Sequence, residues 1–322
     1  MKQHGIIDNK DAQTLSRRQR WLAIVPAVAA TIVYCGGLLA AMLDPSLIAV
    51  GIQGEAWEAR HQQEVRDYTM ILRRARRLSA PRLARSVIGY VDNDAELPYE
   101  LVLLSFTPLK ATGEHPRILI VGGVHGHEIA GAEAALKFAE ELAKRPTRYS
   151  ELEIDVIPVL NPWGWEHGSR YNSGGMDINR DFGSSRTVEA GLFRSFIRRS
   201  MPYDLVIDLH ETYKSGYFLY DYSFPPDRHV WNTYRAIIGL SDKPLENDYR
   251  ESMYRTNNGI LRISRLPAHL NRLSGRLSLD GFMALRRTKR LYVIETPLGD
   301  TFIDRLRLQL RTIHAIIAEY QT

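Results

Sequence analysis

The chain has 322 residues, 44% of them hydrophobic and 25% charged, and a formal net charge of +5. These are the proportions of a globular protein, neither disordered nor collagen-like, and the length allows a sizeable core. A single Cys, Cys35, excludes an intramolecular disulfide framework and any Cys-rich zinc or iron–sulfur centre.

Residues 1–20 hold Lys2, Lys10, Arg17, Arg18 and Arg20 against Asp8 and Asp11, so most of the net charge sits there. Residues 21–43 carry no charge, enough apolar chain to cross a hydrocarbon core of about 30 Å. Asp44, Glu55 and Glu58 come before the next base, Arg60. The positive-inside rule then predicts a single-pass transmembrane anchor. Its N-terminus would be cytoplasmic and the following domain extracytoplasmic, either periplasmic or extracellular. The competing reading, a cleaved signal peptide, fits less well, because the apolar run exceeds the roughly 7–15 residues of a signal h-region. The bulk after the anchor is nearly neutral, which gives no support for nucleic-acid binding. The sequence leaves the oligomeric state open.

Residues 44–54 are predicted to be a linker, and 55–322 one domain. An amphipathic helix is expected over 55–79. Apolar, β-branched runs predict strands at 101–106, 118–121, 152–160, 205–209, 217–220 and 291–294. Helical periodicity marks 129–142, 188–199 and 302–320. The alternation predicts an α/β fold: a mixed, mostly parallel twisted sheet with helices on both faces.

Chemistry-bearing residues gather at predicted strand ends. The strand at 118–121 runs into Gly122-Gly123-Val124-His125-Gly126-His127-Glu128. A turn there can aim the His125 imidazole and the Glu128 carboxylate at one point, and such donors suit Zn²⁺. Another His-x-x-Glu pair, His61 and Glu64, lies on a polar stretch and reads as two solvated residues. Gly131 rules out a His-Glu-x-x-His zinc helix. His210 ends the run Leu205–Leu209, where open α/β sheets place their ligands. Alone it would read as a hydrogen-bonded core histidine. Asp208, two residues earlier, could orient an imidazole, and Glu211 faces the other way. Glu295 ends the last strand, where an acid must be paired or wet, as a general base beside a metal site would be. Arg170, Asn179 and Arg180 lie in a Gly-rich loop, and an arginine there can hold a carboxylate by two parallel bonds.

In this order the motifs resemble the zinc metallocarboxypeptidase family over about residues 60–322. They are His-x-x-Glu after Gly-Gly, Asn-Pro-x-Gly at 161–164, Arg170 with Gly-x-Asp-x-Asn-Arg-x-Phe at 175–182, Asp-x-His at 208–210 and Ile-Glu-Thr-Pro at 294–297. The resemblance implies that His125, Glu128 and His210 hold one zinc ion. It implies that Glu295 is the general base, that Arg170 stabilises the oxyanion, and that Asn179 and Arg180 grip the substrate's free carboxylate. Leu279 falls at the position that would set side-chain preference. The short interval from Glu128 to His210 resembles the compact bacterial members. The stretch around Asn271 and Arg272 lacks the capping Tyr of larger members, with Tyr249 and Tyr254 as loose candidates. The succinylglutamate desuccinylase and aspartoacylase group shares the zinc, Asn-Arg and Glu motifs, but its members carry a further β-rich domain after the Glu. Here the residues after Glu295 read as one helix, which favours a peptidase-like or compact amidohydrolase architecture. The implied activity is hydrolysis of a C-terminal peptide bond, with N-acyl amino acids as the alternative substrates. An inactive, membrane-anchored binding module is a third reading, which the intact residue set opposes.

Overall fold

The computed structural model describes residues 66–321 except 93–97, 110–112, 201, 224–227, 241–244, 252 and 287. The predicted anchor at 21–43, the linker at 44–54 and the pair His61 and Glu64 lie outside the described residues. Among the described residues no helix is long and apolar enough to cross a membrane. All of them belong to one compact unit, Gly51–Thr322.

In chain order the elements are α1 (Thr69–Arg77), β1 (Leu83–Val91), β2 (Tyr99–Phe106), β3 (Arg117–Val121), α2 (Ile129–Lys144), β4 (Glu153–Ile157), α3 (Pro162–His167) and α4 (Val188–Arg199). There follow β5 (Leu205–Thr212), β6 (Phe218–Asp221), α5 (Arg228–Leu240), β7 (Arg250–Glu251), β8 (Tyr254–Arg255) and β9 (Ile260–Arg262). The last are α6 (Leu266–Leu273), α7 (Leu279–Ala284), β10 (Arg290–Pro297) and α8 (Phe302–Ala318).

Eight strands form one sheet in the order β1-β2-β4-β3-β5-β10-β6-β9. The central four, β4, β3, β5 and β10, are parallel; β1 and β2 on one side and β6 on the other are joined antiparallel. This is the expected mixed, mainly parallel sheet, and helices flank it. The central strands read ILIV, IDVI, LVIDL and LYVI and are buried along almost their whole length, as strands covered on both faces must be. Helix α2 packs on β3, β4 and β5, and α8 packs on α2, α5 and β10. Gly131 sets the fit of α2: a Cβ there would come 2.7 Å from the Leu209 carbonyl oxygen.

Strand β1 is an edge strand, exposed along most of its length, so it lacks the apolar run by which the other strands are recognised. Asn161-Pro162 starts α3 rather than a plain turn: Asn161 Oδ1 accepts from Gly164 N–H at 2.9 Å and Pro162 takes the first helical position. The expected helix over 55–79 is, among its described residues, confined to Thr69–Arg77. Before it, Arg66 N–H donates to Glu166 O at 2.7 Å and Tyr68 N–H to Glu166 Oε1 at 2.9 Å, which ties the chain to α3.

Candidate metal centre and active site

Strand β3 ends in a tight turn. Gly122 N–H donates to Ile157 O at 2.9 Å, and Gly123 takes a φ of +60°, which favours glycine. Gly126 lies directly on the Gly164–Trp165 backbone, where a Cβ would overlap it. The chain can therefore turn at His125 and start α2 at Ile129 with Glu128 as its N-cap residue, whose N–H donates to His125 O at 3.2 Å.

The two neighbouring strand ends complete a buried cluster. Glu128 Oε1 lies 2.7 Å from His125 Nδ1, and Glu128 Oε2 lies 2.7 Å from His210 Nδ1. Donor atoms of the three residues all fall within 4.8 Å of one another. Behind each imidazole stands a carboxylate: His125 Nε2 is 3.3 Å from Asp177 Oδ1, and His210 Nε2 is 3.2 Å from Asp208 Oδ2. Burial disfavours charge here, yet His125 and His210 hold the Glu128 carboxyl well below its usual range. Against the same burial, Asp208 and Glu128 hold the His210 imidazole well above its ordinary value. The cluster thus draws positive charge into a buried place. Two nitrogens, a carboxylate and an acid behind each ring make a donor set that fits a divalent cation.

Glu295 stands opposite His210 in the parallel register of β5 and β10. It is half-buried, and burial, opposed by His210, raises its carboxyl well above the usual range. Arg170 is buried; its Nε and Nη2 donate to Asp177 Oδ2 at 3.1 and 2.8 Å, and its Nη1 lies 3.3 Å from His125 Nδ1. One arm of the guanidinium therefore stays beside the His125–Glu128–His210 cluster while the other is anchored. Asp177 also accepts from Asn179 N–H at 2.9 Å, fixing the short 3₁₀ turn Ile178–Arg180. Asn179 Oδ1 accepts from Leu279 N–H at 2.8 Å, so the amide nitrogen is the group left to donate. Arg180 Nη1 donates to Asn179 O at 2.9 Å. Leu279 is fully buried at the start of α7 and meets this turn through its backbone N–H.

Glu211 is not idle: its N–H donates to Glu128 Oε2 at 3.1 Å, and its side chain takes the Ala130 N–H and pairs with Arg305. Burial, opposed by Arg305, pushes its carboxyl up to about 7. The motif at 175–182 contained Asp177 without giving it a role, and sequence reasoning missed Tyr213 and Glu251. Tyr213 OH lies 3.0 Å from His127 Nε2. Tyr249 OH donates to Glu251 at 3.1 Å and lies 3.2 Å from Tyr220 OH, whereas Tyr254 OH lies 2.6 Å from Ser264 Oγ. Burial raises the Glu251 carboxyl, with Arg180 opposing and Asp280 adding to the rise. The advance signal for Asp177 was its place as the acid of the Gly-x-Asp-x-Asn-Arg motif.

Residues 114–241 match the model of the succinylglutamate desuccinylase/aspartoacylase catalytic domain. Carboxypeptidase E of Caenorhabditis elegans is 29% identical over 105 residues, 26% of this chain and 22% of the relative. The chain thus spans about a fifth of the length of that curated relative. Among solved structures, a metallopeptidase candidate from Shewanella denitrificans superposes with a TM-score of 0.62 at 21% identity, over 78% of this chain and 88% of the other. A succinylglutamate desuccinylase from a Silicibacter species gives 0.52 at 14% identity, over 76% and 68%. The fold is thus the one shared by metallocarboxypeptidases and desuccinylases.

Proposed function

We propose that the chain is a zinc-dependent metallocarboxypeptidase, which hydrolyses the C-terminal peptide bond of a substrate with a free carboxylate. The observation that carries this reading is the convergence of His125, Glu128 and His210 at adjacent strand ends, with Glu295 in register beside His210. His125, Glu128 and His210 would hold one Zn²⁺, which suits two imidazoles and a carboxylate with an open position. When bound, such an ion supplies a Lewis acid that polarises the scissile carbonyl and acidifies the attacking water. Glu295 takes a proton from that water and passes it to the leaving amine; its raised pKa makes it a stronger base once ionised. Arg170, steadied by Asp177, sets one N–H arm where negative charge develops on the carbonyl oxygen. Asn179 Nδ2 and Arg180 hold the substrate carboxylate. Leu279 takes part through its N–H to Asn179, which fixes the amide that faces the carboxylate.

The match over residues 114–241 favours a second reading, deacylation of N-acyl amino acids at the same site. The uncharged run at 21–43 and the bases before it support an anchored, extracytoplasmic placement, where cell-envelope peptides would be the substrates. A panel of peptides and N-acyl amino acids, with and without a chelator, tests the function. We expect chelator-sensitive release of C-terminal residues, and a loss of at least about a hundredfold in kcat for Glu295→Gln with metal content unchanged. Cleavage of acyl compounds alone would replace the first reading with the second. Full activity of Glu295→Gln would refute the assigned base.

A further inference from the structure

Just beyond the Asn179–Arg180 turn, Phe182 and Gly183 enter the wall of a cleft of about 240 Å³. Arg194 of α4, Arg272 of α6 and Arg286 after α7 line the same cleft, over an apolar base that includes Phe282. Among the described residues none of these three arginines forms an ion pair with a carboxylate. The acid closest in sequence, Asp181, is engaged by Thr187, Ser184 and Arg186.

Two of the three guanidinium groups are held against the apolar base. Arg194 Nη1 donates to Gly183 O at 3.2 Å and to Ser185 Oγ, while its Nε is buried without a hydrogen-bond partner. The Arg194 and Arg286 guanidinium carbons lie 5.6 and 4.9 Å from the centroid of the same Phe282 ring. The wall is closely packed: Phe182 N–H donates to Leu277 O at 2.9 Å, and a Cβ on Gly183 would come 2.6 Å from Gly275 O. Burial, then the charges of Arg198 and Arg286, push the Arg194 guanidinium below its ordinary value, Asp181 opposing. Like charges gathered on an apolar base repel one another, and a bound anion would relieve that cost.

We propose that this cleft is a binding site for a compact, multiply charged oxyanion of the phosphate type, separate from the metal centre. Guanidinium forks match phosphate oxygens by paired N–H bonds, and the apolar base strengthens each of them. The cleft is smaller than the roughly 300–1,000 Å³ of pockets that take drug-sized molecules, which selects a small anion. The Asn179–Leu279 bond joins the substrate-carboxylate turn to α7, whose Phe282 forms part of this base, so an anion here would sit directly behind the substrate's carboxylate grip.

The test is titration calorimetry with inorganic pyrophosphate on the full chain, first stripped of metal so that no anion binds through an ion. We expect saturable binding to the unmodified chain. Arg272→Gln and Arg286→Gln should each weaken it about tenfold, the double variant should show none, and Arg180→Gln should keep it within about threefold. Arg272 and Arg286 are exposed, so their loss spares the core; the single variants carry the test should the double variant fold poorly. A thermal shift with pyrophosphate, present in the unmodified chain and absent in the single variants, gives a second readout. The proposal is overturned by equal binding in the variants, by no saturable binding at millimolar pyrophosphate, or by loss in Arg180→Gln that matches the double variant. None of these outcomes depends on hydrolysis, so the proposed activity and the anion site stand or fall separately.

Discussion

Asp177 serves three groups at once: it lies behind the His125 ring, anchors the Arg170 guanidinium and caps the turn carrying Asn179. Removing its charge should therefore loosen His125, a proposed metal ligand, as well as the arginine. For Asp177→Asn we expect metal affinity to fall about 10–100-fold, the usual cost of losing such a partner, as read by competition with a calibrated chelator. Unchanged affinity would mean that the 3.3 Å approach to His125 is incidental. His125, Glu128, His210 and Glu295 were legible in the sequence because each follows a buried apolar strand, where a titratable group needs a reason to exist. Asp177 stood in the motif without a role, and Glu251 was not seen: Asp177 lies in a glycine-rich loop and Glu251 in a two-residue strand, where an acid is ordinary and only the folded contacts give it a role.

At the scale of elements, glycines separate positions that the fold requires from positions it merely tolerates. Gly126 lets the turn that carries His125 lie on α3, and any Cβ there would overlap the Gly164–Trp165 backbone. Gly191 lies within α4 with nothing within 4 Å of where its Cβ would be. Gly126→Ala should lose at least about 2 kcal/mol, by overpacking against backbone. Gly191→Ala should gain roughly 0.5–1 kcal/mol, by restricting the unfolded chain and favouring the helix. Denaturant midpoints of the two variants measure both, and equal shifts would contradict the packing described. The central strands were readable because burial on both faces demands continuous apolar sequence. Strand β1 was not, since its stability comes from antiparallel pairing with β2 and from Leu192, which packs on Gly89 where no side chain intervenes. Helix α5 (RHVWNTYRAIIGL) was likewise missed, its apolar residues being interspersed with polar ones.

At the scale of the whole molecule, sequence order and charge gave the α/β plan and the near-neutral character of the described unit. They also predict an anchor, which lies outside the described residues. Its expected consequence is that the full chain sediments with membranes and resists alkaline extraction, while a chain lacking residues 1–43 stays in the supernatant. Recovery of the full chain in the soluble fraction would refute the anchor. The parallel order β3-β5-β10 has a kinetic consequence as well. His125, His210 and Glu295 reach one another only after two successive parallel pairings, each closing about 85 residues of chain, a topology that folds slowly. Among the described residues the donors of His125, Glu128 and His210 come together only when β5 pairs with β3, so the proposed ion would be captured after that pairing and would report it rather than guide it.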